Sequence, residues 1–207
     1  MLRIIERPVE GQDALRNIEG HQESVNAMAV LADGRQALSA SNDTSLKLWD
    51  LERGAVLRTL GIATDDVWPF GGNEGRYAMS GPPNGRHQDW VAAVAVLADG
   101  RRALSASEDC TLKLWDLESG TGLRTLEGHQ GLVTAVAAQA DGCRALSASY
   151  DETLKLWDLK SGNVLATFIA DAVITAVAVA QTRRFVAGSR DGSFHILQLL
   201  ERNGFDG

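Results

Sequence analysis

Short segments of alternating apolar and polar residues run along most of this chain, and glycine-containing turns separate them. Side chains of a β-strand point alternately to the two faces of a sheet, so a period of two indicates a strand. No segment shows a helical period of comparable strength. The pattern therefore predicts an all-β chain built from many short strands.

One block of sequence recurs along the chain. The string LKLWDL stands at Leu46–Leu51, Leu112–Leu117 and Leu154–Leu159, and each copy follows ALSASND, ALSASED or ALSASYD. Trp115 and Trp157 are 42 residues apart, which is within the period of about 40–45 residues that is typical of a four-stranded repeat unit. Each unit is therefore predicted to contain four short strands in succession.

The strands of a unit differ in composition. Val91–Val96 is small and apolar on both faces, which is typical of an innermost strand that is covered on both sides. Leu48 and Trp49 are neighbours in a third strand, so we expect them to pack against different adjacent sheets. Glycine adopts the positive φ of a tight hairpin, and Asp-Gly turns are predicted at Asp33-Gly34, Asp99-Gly100 and Asp141-Gly142.

These repeats resemble the WD-40 repeat family, whose units begin near a Gly-His pair and end near a Trp-Asp pair. The matching pairs are Gly20-His21, Gly128-His129, Trp49-Asp50, Trp115-Asp116 and Trp157-Asp158, with Arg86-His87 as a variant. The sequences of the repeats are similar to those of C-terminal repeat arrays in bacterial, especially cyanobacterial, multidomain signalling proteins. The resemblance implies a β-propeller.

The predicted fold is all-β: a single WD-repeat β-propeller domain at 1–207, with four near-complete four-stranded blades and one degenerate half-blade. Trp49 and Trp115 are 66 residues apart, too few for two periods, which is why only half a blade is predicted between them. The predicted segments are N-terminal closing strands at 1–19, blades at 20–60, 87–127, 128–169 and 170–200, the half-blade at 61–86, and a tail at 201–207.

The last repeat is incomplete. Ala187, Leu197 and Gln198 stand where serine, tryptophan and aspartate are expected, and no outer strand follows. We expect Ala14–Ile18 to supply that strand beside Phe194–Leu199. An unchanged stability after deletion of residues 1–19 would contradict this expectation.

Histidine, serine and aspartate recur together in three repeats, which superficially suggests a hydrolase triad. The resemblance implies instead a buried structural hydrogen-bond tetrad that ends on the tryptophan indole, and three equivalent copies favour that interpretation. The predicted tetrads are His21, Ser39, Asp43, Trp49; His87, Ser105, Asp109, Trp115; and His129, Ser147, Asp151, Trp157, with Ser41, Ser107 and Ser149 as alternative serines. No catalytic residue and no metal ligand is predicted, because the histidines fall one per repeat without ligand spacing.

The family places partners on the face formed by the loops before the first strand and after the second. The corresponding positions vary between repeats while the framework is nearly constant, and they include aromatic and arginine side chains. The predicted partner-binding residues are Gln22, Ser24, Asn42, Gln88, Trp90, Glu108, Gln130, Leu132, Tyr150 and Arg190.

The net charge of −7 argues against nucleic-acid binding, which requires a basic face, and mildly favours basic partners. Cys110 and Cys143 are predicted on opposite ends of their blades and fit a reducing compartment. No apolar run approaches the roughly 18 residues of a membrane span, and no signal peptide is evident. We expect a cytoplasmic protein without a cofactor.

The predicted function is a non-catalytic scaffold that binds a protein or peptide partner, as in signalling assemblies. The alternative is a self-assembly module, or a truncated array, that completes its ring by forming a homo-oligomer through open edges. An enzyme or small-molecule binder would require an unmatched polar cluster in one repeat, and the sequence shows none.

Overall fold

Antiparallel strands form the regular structure, and each follows one of the predicted period-two segments. The computed structural model describes residues 19–61, 85–181 and 184–198. These ranges contain no helix long and apolar enough to cross a membrane. The strands are β1 (Val25–Val30), β2 (Gln36–Ser41), β3 (Leu46–Asp50), β4 (Ala55–Leu60), β5 (Val91–Val96), β6 (Arg102–Ser107), β7 (Leu112–Asp116), β8 (Gly122–Leu126), β9 (Val133–Ala138), β10 (Arg144–Ser149), β11 (Thr153–Asp158), β12 (Val164–Ile169), β13 (Ile174–Gln181), β14 (Arg184–Ser189) and β15 (Phe194–Gln198).

The strands pair in chain order into four separate sheets. Strands β1–β4, β5–β8 and β9–β12 form three four-stranded meanders, named here blades 1, 2 and 3. Strands β13–β15 form blade 4, which has three strands within the described residues. The all-β fold class is confirmed, since every blade is an antiparallel sheet of the predicted kind.

The predicted Asp-Gly turns join the first and second strands of blades 1, 2 and 3. Gly34, Gly100 and Gly142 have φ values of 67°, 65° and 64°, the left-handed conformation that glycine adopts without steric cost. In blade 2 the Asp99 carboxylate accepts hydrogen bonds from the Arg101 and Arg102 amides, which closes the turn.

Three apolar clusters hold the blades together, and each spans one junction between neighbours. Leu114 packs in the cluster between blades 2 and 3, whereas Trp115 packs in the cluster between blades 1 and 2. Adjacent residues of one strand therefore serve different junctions, as expected for the Leu-Trp pair of the third strand. Leu146, Leu154 and Leu156 of blade 3 pack against Ile174 and Phe185 of blade 4 in the third cluster.

Blades 1 and 2 are direct neighbours although 30 residues separate β4 from β5. The Gly61 amide donates a hydrogen bond to the Gly120 carbonyl across this junction, at 3.0 Å. The half-blade predicted at 61–86 lies outside the described residues except for its ends, as do the closing strands predicted at 1–19, apart from residue 19, and the tail at 201–207.

Candidate functional site

A buried chain of hydrogen bonds runs through blade 2. Nδ1 of His87 lies 2.8 Å from Oδ2 of Asp109, and Nε2 of His87 lies 2.6 Å from Oγ of Ser105. The Trp115 indole N–H donates to the same serine oxygen at 2.8 Å. Trp115 pairs with Ala103 in the neighbouring strand, and Ser105 lies two residues further along the same face, within reach of the indole.

The same chain is present in blades 1 and 3 with nearly the same geometry. The histidine-to-aspartate distance is 2.8 Å in both, and the histidine-to-serine distances are 2.6 and 2.7 Å. The indole-to-serine distances are 2.7 and 2.8 Å. The structure therefore brings together all twelve side chains of the predicted tetrads, and it places Ser39, Ser105 and Ser147 in them.

The alternative serines have a different position. Ser107 accepts a hydrogen bond from the Asp109 amide and donates to the Asp89 carbonyl, so it fastens the two loops that carry the tetrad aspartate and histidine. Ser41 and Ser149 make the equivalent contacts in blades 1 and 3.

A fifth polar group, a hydroxyl that the sequence prediction missed, is hydrogen-bonded to the aspartate of each tetrad. The Thr111 hydroxyl donates to Oδ1 of Asp109 at 2.7 Å, and the Thr111 amide donates to the same oxygen. Ser45 and Thr153 occupy this position in the other two blades. The available signal was a hydroxyl residue two positions after the aspartate in all three repeats.

The protonation of the tetrads follows from these contacts. Burial raises the pKa of the Asp109 carboxyl, but hydrogen bonds from His87, Thr111 and the Gln88 amide outweigh it and hold the pKa well below its ordinary range. The pKa of Asp151 is lowered to about 2 in the same way: burial raises it, but hydrogen bonds led by the one from Thr153 prevail. Burial lowers the pKa of His87 and His129 despite the adjacent carboxylates, so a neutral imidazole sits between an ionised aspartate and a serine.

This arrangement does not present a nucleophile to solvent. Ser39, Ser105 and Ser147 are at most 1% exposed, and each hydroxyl oxygen is held between a histidine and an indole. Hydrolysis requires an accessible hydroxyl beside an oxyanion hole, and three identical buried copies lack that access. Within the described ranges, no group of three or more His, Cys, Asp or Glu residues is placed to hold a metal ion.

Blade 4 has no tetrad among the residues that the structure describes. Ala187 is buried where the other blades have the tetrad serine. Asp191 remains in the turn and accepts a hydrogen bond from the Ser193 amide. His195 bonds Ser189 at 2.9 Å between Nε2 and Oγ, and its ring lies 5.7 Å from that of Phe168.

The predicted partner-binding residues lie on two loops that are fastened together in every blade. In blade 2 the Glu108 amide donates to the Trp90 carbonyl, and in blade 3 the Tyr150 amide donates to the Leu132 carbonyl, both at 2.9 Å. Asn42 makes the same bond to Ser24 in blade 1, and Arg190 bonds Val173 in blade 4. The paired loops are named here the loop face; it comprises residues 20–24, 42–45, 86–90, 108–111, 128–132, 150–153, 171–173 and 190–193.

Most of the predicted residues of the loop face reach solvent. Trp90 is 45% exposed and Tyr150 is 44% exposed, which is high for large aromatic side chains. Gln22, Ser24, Gln88, Gln130 and Arg190 are exposed, whereas Asn42, Glu108 and Leu132 are half-buried.

The loop face is predominantly acidic. Outside the tetrads its acidic residues are Glu23, Asp89, Glu108, Glu152, Asp171 and Asp191, against the two arginines Arg86 and Arg190. Burial, and then the neighbouring Asp89 carboxylate, raise the pKa of Glu108. Negative charge therefore predominates at the end of the blades opposite the Asp-Gly turns, and Asp89 and Glu108 lie beside Trp90.

Comparisons with known proteins agree with this geometry. The family described as WD domain, G-beta repeat matches residues 12–50, 84–116 and 120–158. The nuclear distribution protein PAC1 of Arthroderma benhamiae is 31% identical over 140 residues, covering 54% of this chain and 30% of that protein. F-box/WD repeat-containing protein 9 of Homo sapiens is 34% identical over 99 residues, covering 48% of this chain and 18% of that protein. The chain thus spans less than a third of the length of these curated relatives.

Solved structures show the same fold. The structure of U3-55K has a TM-score of 0.75 at 22% identity and covers 89% of this chain and 51% of that chain. The computationally designed Ika4 protein has a TM-score of 0.71 at 26% identity and covers 92% of this chain and 99% of that chain. Three matched repeats, blade-shaped sheets and these likenesses together show that the chain belongs to the WD domain, G-beta repeat family and folds as blades of a β-propeller.

Proposed function

We propose that this chain is a non-catalytic scaffold that binds a protein or peptide partner through its loop face. The observation that carries the proposal is the bond that fastens the paired loops in all four blades. The loops joined by this bond carry side chains that differ between blades, whereas the strands that support the loops repeat. Trp90 and Tyr150 are exposed there, and aromatic side chains dominate the energetics of many interfaces.

The charge of the loop face supports a partner segment rich in lysine and arginine. Opposite charge accelerates association and selects among partners. The same negative charge opposes a nucleic-acid role. Membership of the family, and relatives named as subunits of a ubiquitin ligase complex or as F-box proteins, also support a role in protein assemblies.

A cytoplasmic location belongs to the same proposal. Cys110 and Cys143 are both free thiols, and free cysteines are typical of reducing compartments.

Selection of peptides from a random display library on the full chain tests this function. Selected peptides should be enriched in lysine and arginine, and the double variant Trp90→Ala, Tyr150→Ala should bind them at least about tenfold more weakly. The melting temperature should be unchanged because both side chains are exposed.

A matched control carries Leu123→Ala and Leu165→Ala, which remove exposed apolar side chains from outer strands away from the loop face. Its peptide affinity should equal that of the unchanged chain. Equal affinity of the Trp90, Tyr150 variant would contradict binding at the loop face.

Self-assembly is a second candidate function, and a separate observation supports it. The outward-facing sides of blades 1 and 4 expose large apolar side chains, among them Met28 and Ile196.

A further inference from the structure

Each junction between adjacent blades is built from the same two halves. The earlier blade contributes leucines of its second and third strands, such as Leu104, Leu112 and Leu114 of blade 2. In the junctions of blades 1 and 2 and of blades 2 and 3, the later blade contributes the first-strand valine, the tryptophan and the leucine that follows the third strand, such as Trp157 and Leu159 of blade 3. Blade 4 contributes Ile174 and Phe185 from its first and second strands instead. These halves are named here the trailing face and the leading face.

The leading face of blade 1 is exposed along its first strand, whereas its tryptophan, Trp49, is only 7% exposed. Val25 occupies the same register position as Val91 and Val133, since all three pair with the last serine of the second strand. Val91 and Val133 are 0% exposed, whereas Val25 is 47% exposed. On the same face Met28 and Val30 are 64% and 62% exposed.

The trailing face of blade 4 is exposed in the same way. Phe194 and Ile196 occupy the register positions of Leu154 and Leu156 in blade 3. The two leucines are 1% and 4% exposed, whereas Phe194 and Ile196 are 66% and 71% exposed. Among the described residues, the chain therefore presents exposed counterparts of both halves of its own repeated junction, apart from Trp49.

Polar groups on the trailing face of blade 4 and on the leading face of blade 1 are also complementary. The Thr134 hydroxyl donates to the Ile174 carbonyl across the junction of blades 3 and 4, at 2.9 Å. Thr175 has the corresponding position in blade 4, and the Val25 carbonyl corresponds to that of Ile174.

A second polar contact also has its donor and acceptor repeated on the two exposed faces. The Arg102 guanidinium donates to the Gly142 carbonyl across the junction of blades 2 and 3, at 3.1 Å. Arg184 has the register position of Arg102 and is exposed, and Gly34 has the turn position of Gly142.

We propose that two copies of this chain bind head to tail, with the trailing face of each on the leading face of the other, to close a ring of eight blades. The inference rests on the self-assembly function proposed above and is independent of the loop face. Head-to-tail contacts between unlike faces form a closed ring when the rotations from one copy to the next add up to a full turn. Propellers contain about four to eight blades, so two copies of four blades reach that limit and three copies exceed it.

The length of the structural match is consistent with two copies. This chain aligns with about half of the U3-55K chain, so two copies together would form an array of about the same length. Phe194 and Ile196 on one side, with Met28 and Val30 on the other, would then be buried as their counterparts are within the chain.

The test uses two full-length single variants, Ile196→Lys on the trailing face and Met28→Glu on the leading face. Both side chains are exposed within a single chain, so neither substitution should unfold it. Each variant should therefore still melt cooperatively, as a folded monomer does. Light scattering after size-exclusion chromatography should give twice the 22.2 kDa chain mass for the unchanged chain and the single mass for each variant alone.

Mixing the two variants should restore the doubled mass. The mixed ring has one unchanged junction and one in which the new lysine meets the new glutamate, whereas each variant alone has two impaired junctions. The counterparts of the two positions, Leu114 and Val136, share one buried cluster. Leu165→Glu, on the outer strand of blade 3, is the matched control and should keep the doubled mass.

The possible failures are distinguishable. A monomer at every concentration overturns both self-assembly and the ring, and it would mean that other residues of the same chain cover the two faces. A dimer that both variants leave intact keeps self-assembly but overturns these faces. A series of larger species, or variants that do not recombine, overturns the two-copy ring.

Discussion

At the scale of single residues, the tetrads show how a β-sheet protein accommodates buried polar groups. Asp109 accepts from His87, Thr111 and the Gln88 amide, so its buried charge is fully hydrogen-bonded. An unpaired buried polar group costs about 1–3 kcal/mol, and the arrangement leaves none of these groups unpaired. We therefore propose a structural role for the tetrads.

Asp109→Ala should lower the free energy of unfolding by about 1–3 kcal/mol, because it leaves the His87 ring and two loop amides without their acceptor. Urea denaturation measures the change. Asp191→Ala is the matched control: this aspartate has the same turn position in blade 4, but no tetrad histidine is present, so its loss should cost clearly less. Equal losses would contradict the structural role.

At the scale of elements, one backbone position in the loop between second and third strands is strained in three blades. Thr44, Cys110 and Glu152 have φ values of 65°, 67° and 62°, and only blade 4 has glycine there, Gly192 with φ 90°. A side chain with a Cβ is disfavoured in this region. The glycine pattern predicted the Asp-Gly turns, but these three positions carried no sequence signal.

Gly192→Ala should destabilise the protein by about 1 kcal/mol, since alanine is strained at positive φ. Nothing lies within 4 Å of the added methyl group, so backbone strain is the only cost. Gly188→Ala is the matched control, because it also meets nothing within 4 Å and has no positive φ. Thermal unfolding of both variants tests this, and an equal effect would exclude strain as the cause.

At the scale of the whole molecule, the repeated tetrads couple stability to pH. The pKa values of His87 and His129 lie below the ordinary value of 6.5 because both rings are buried. In the unfolded chain these histidines bind protons at a higher pH than in the folded chain. Acidification therefore favours the unfolded state.

The free energy of unfolding should fall as the pH is lowered from about 7.5 to about 5, through the ordinary histidine pKa. Urea denaturation at a series of pH values measures this decline. The slope should be smaller in the variant His87→Gln, which removes one of the two rings whose pKa is lowered by burial. A stability that rises on acidification over this range would contradict the assignment.

The fold could be largely predicted from the sequence because its signals are local. Alternation with a period of two marks the strands, Asp-Gly pairs mark the hairpins, and the three LKLWDL copies mark the repeat. The tetrad positions were also predictable, since each histidine and aspartate are separated by the same 22 residues in three repeats.

Only the tertiary structure decided what depends on contacts between distant residues. It shows blades 1 and 2 in direct contact, which the spacing of Trp49 and Trp115 does not reveal. It distinguishes Ser105 from Ser107, because only packing determines which hydroxyl reaches the indole. It also reveals that Val25 and Ile196 are exposed while their counterparts are buried. A repeat encodes the same faces in every blade, and whether a face is covered depends on the neighbour that the assembled molecule places beside it.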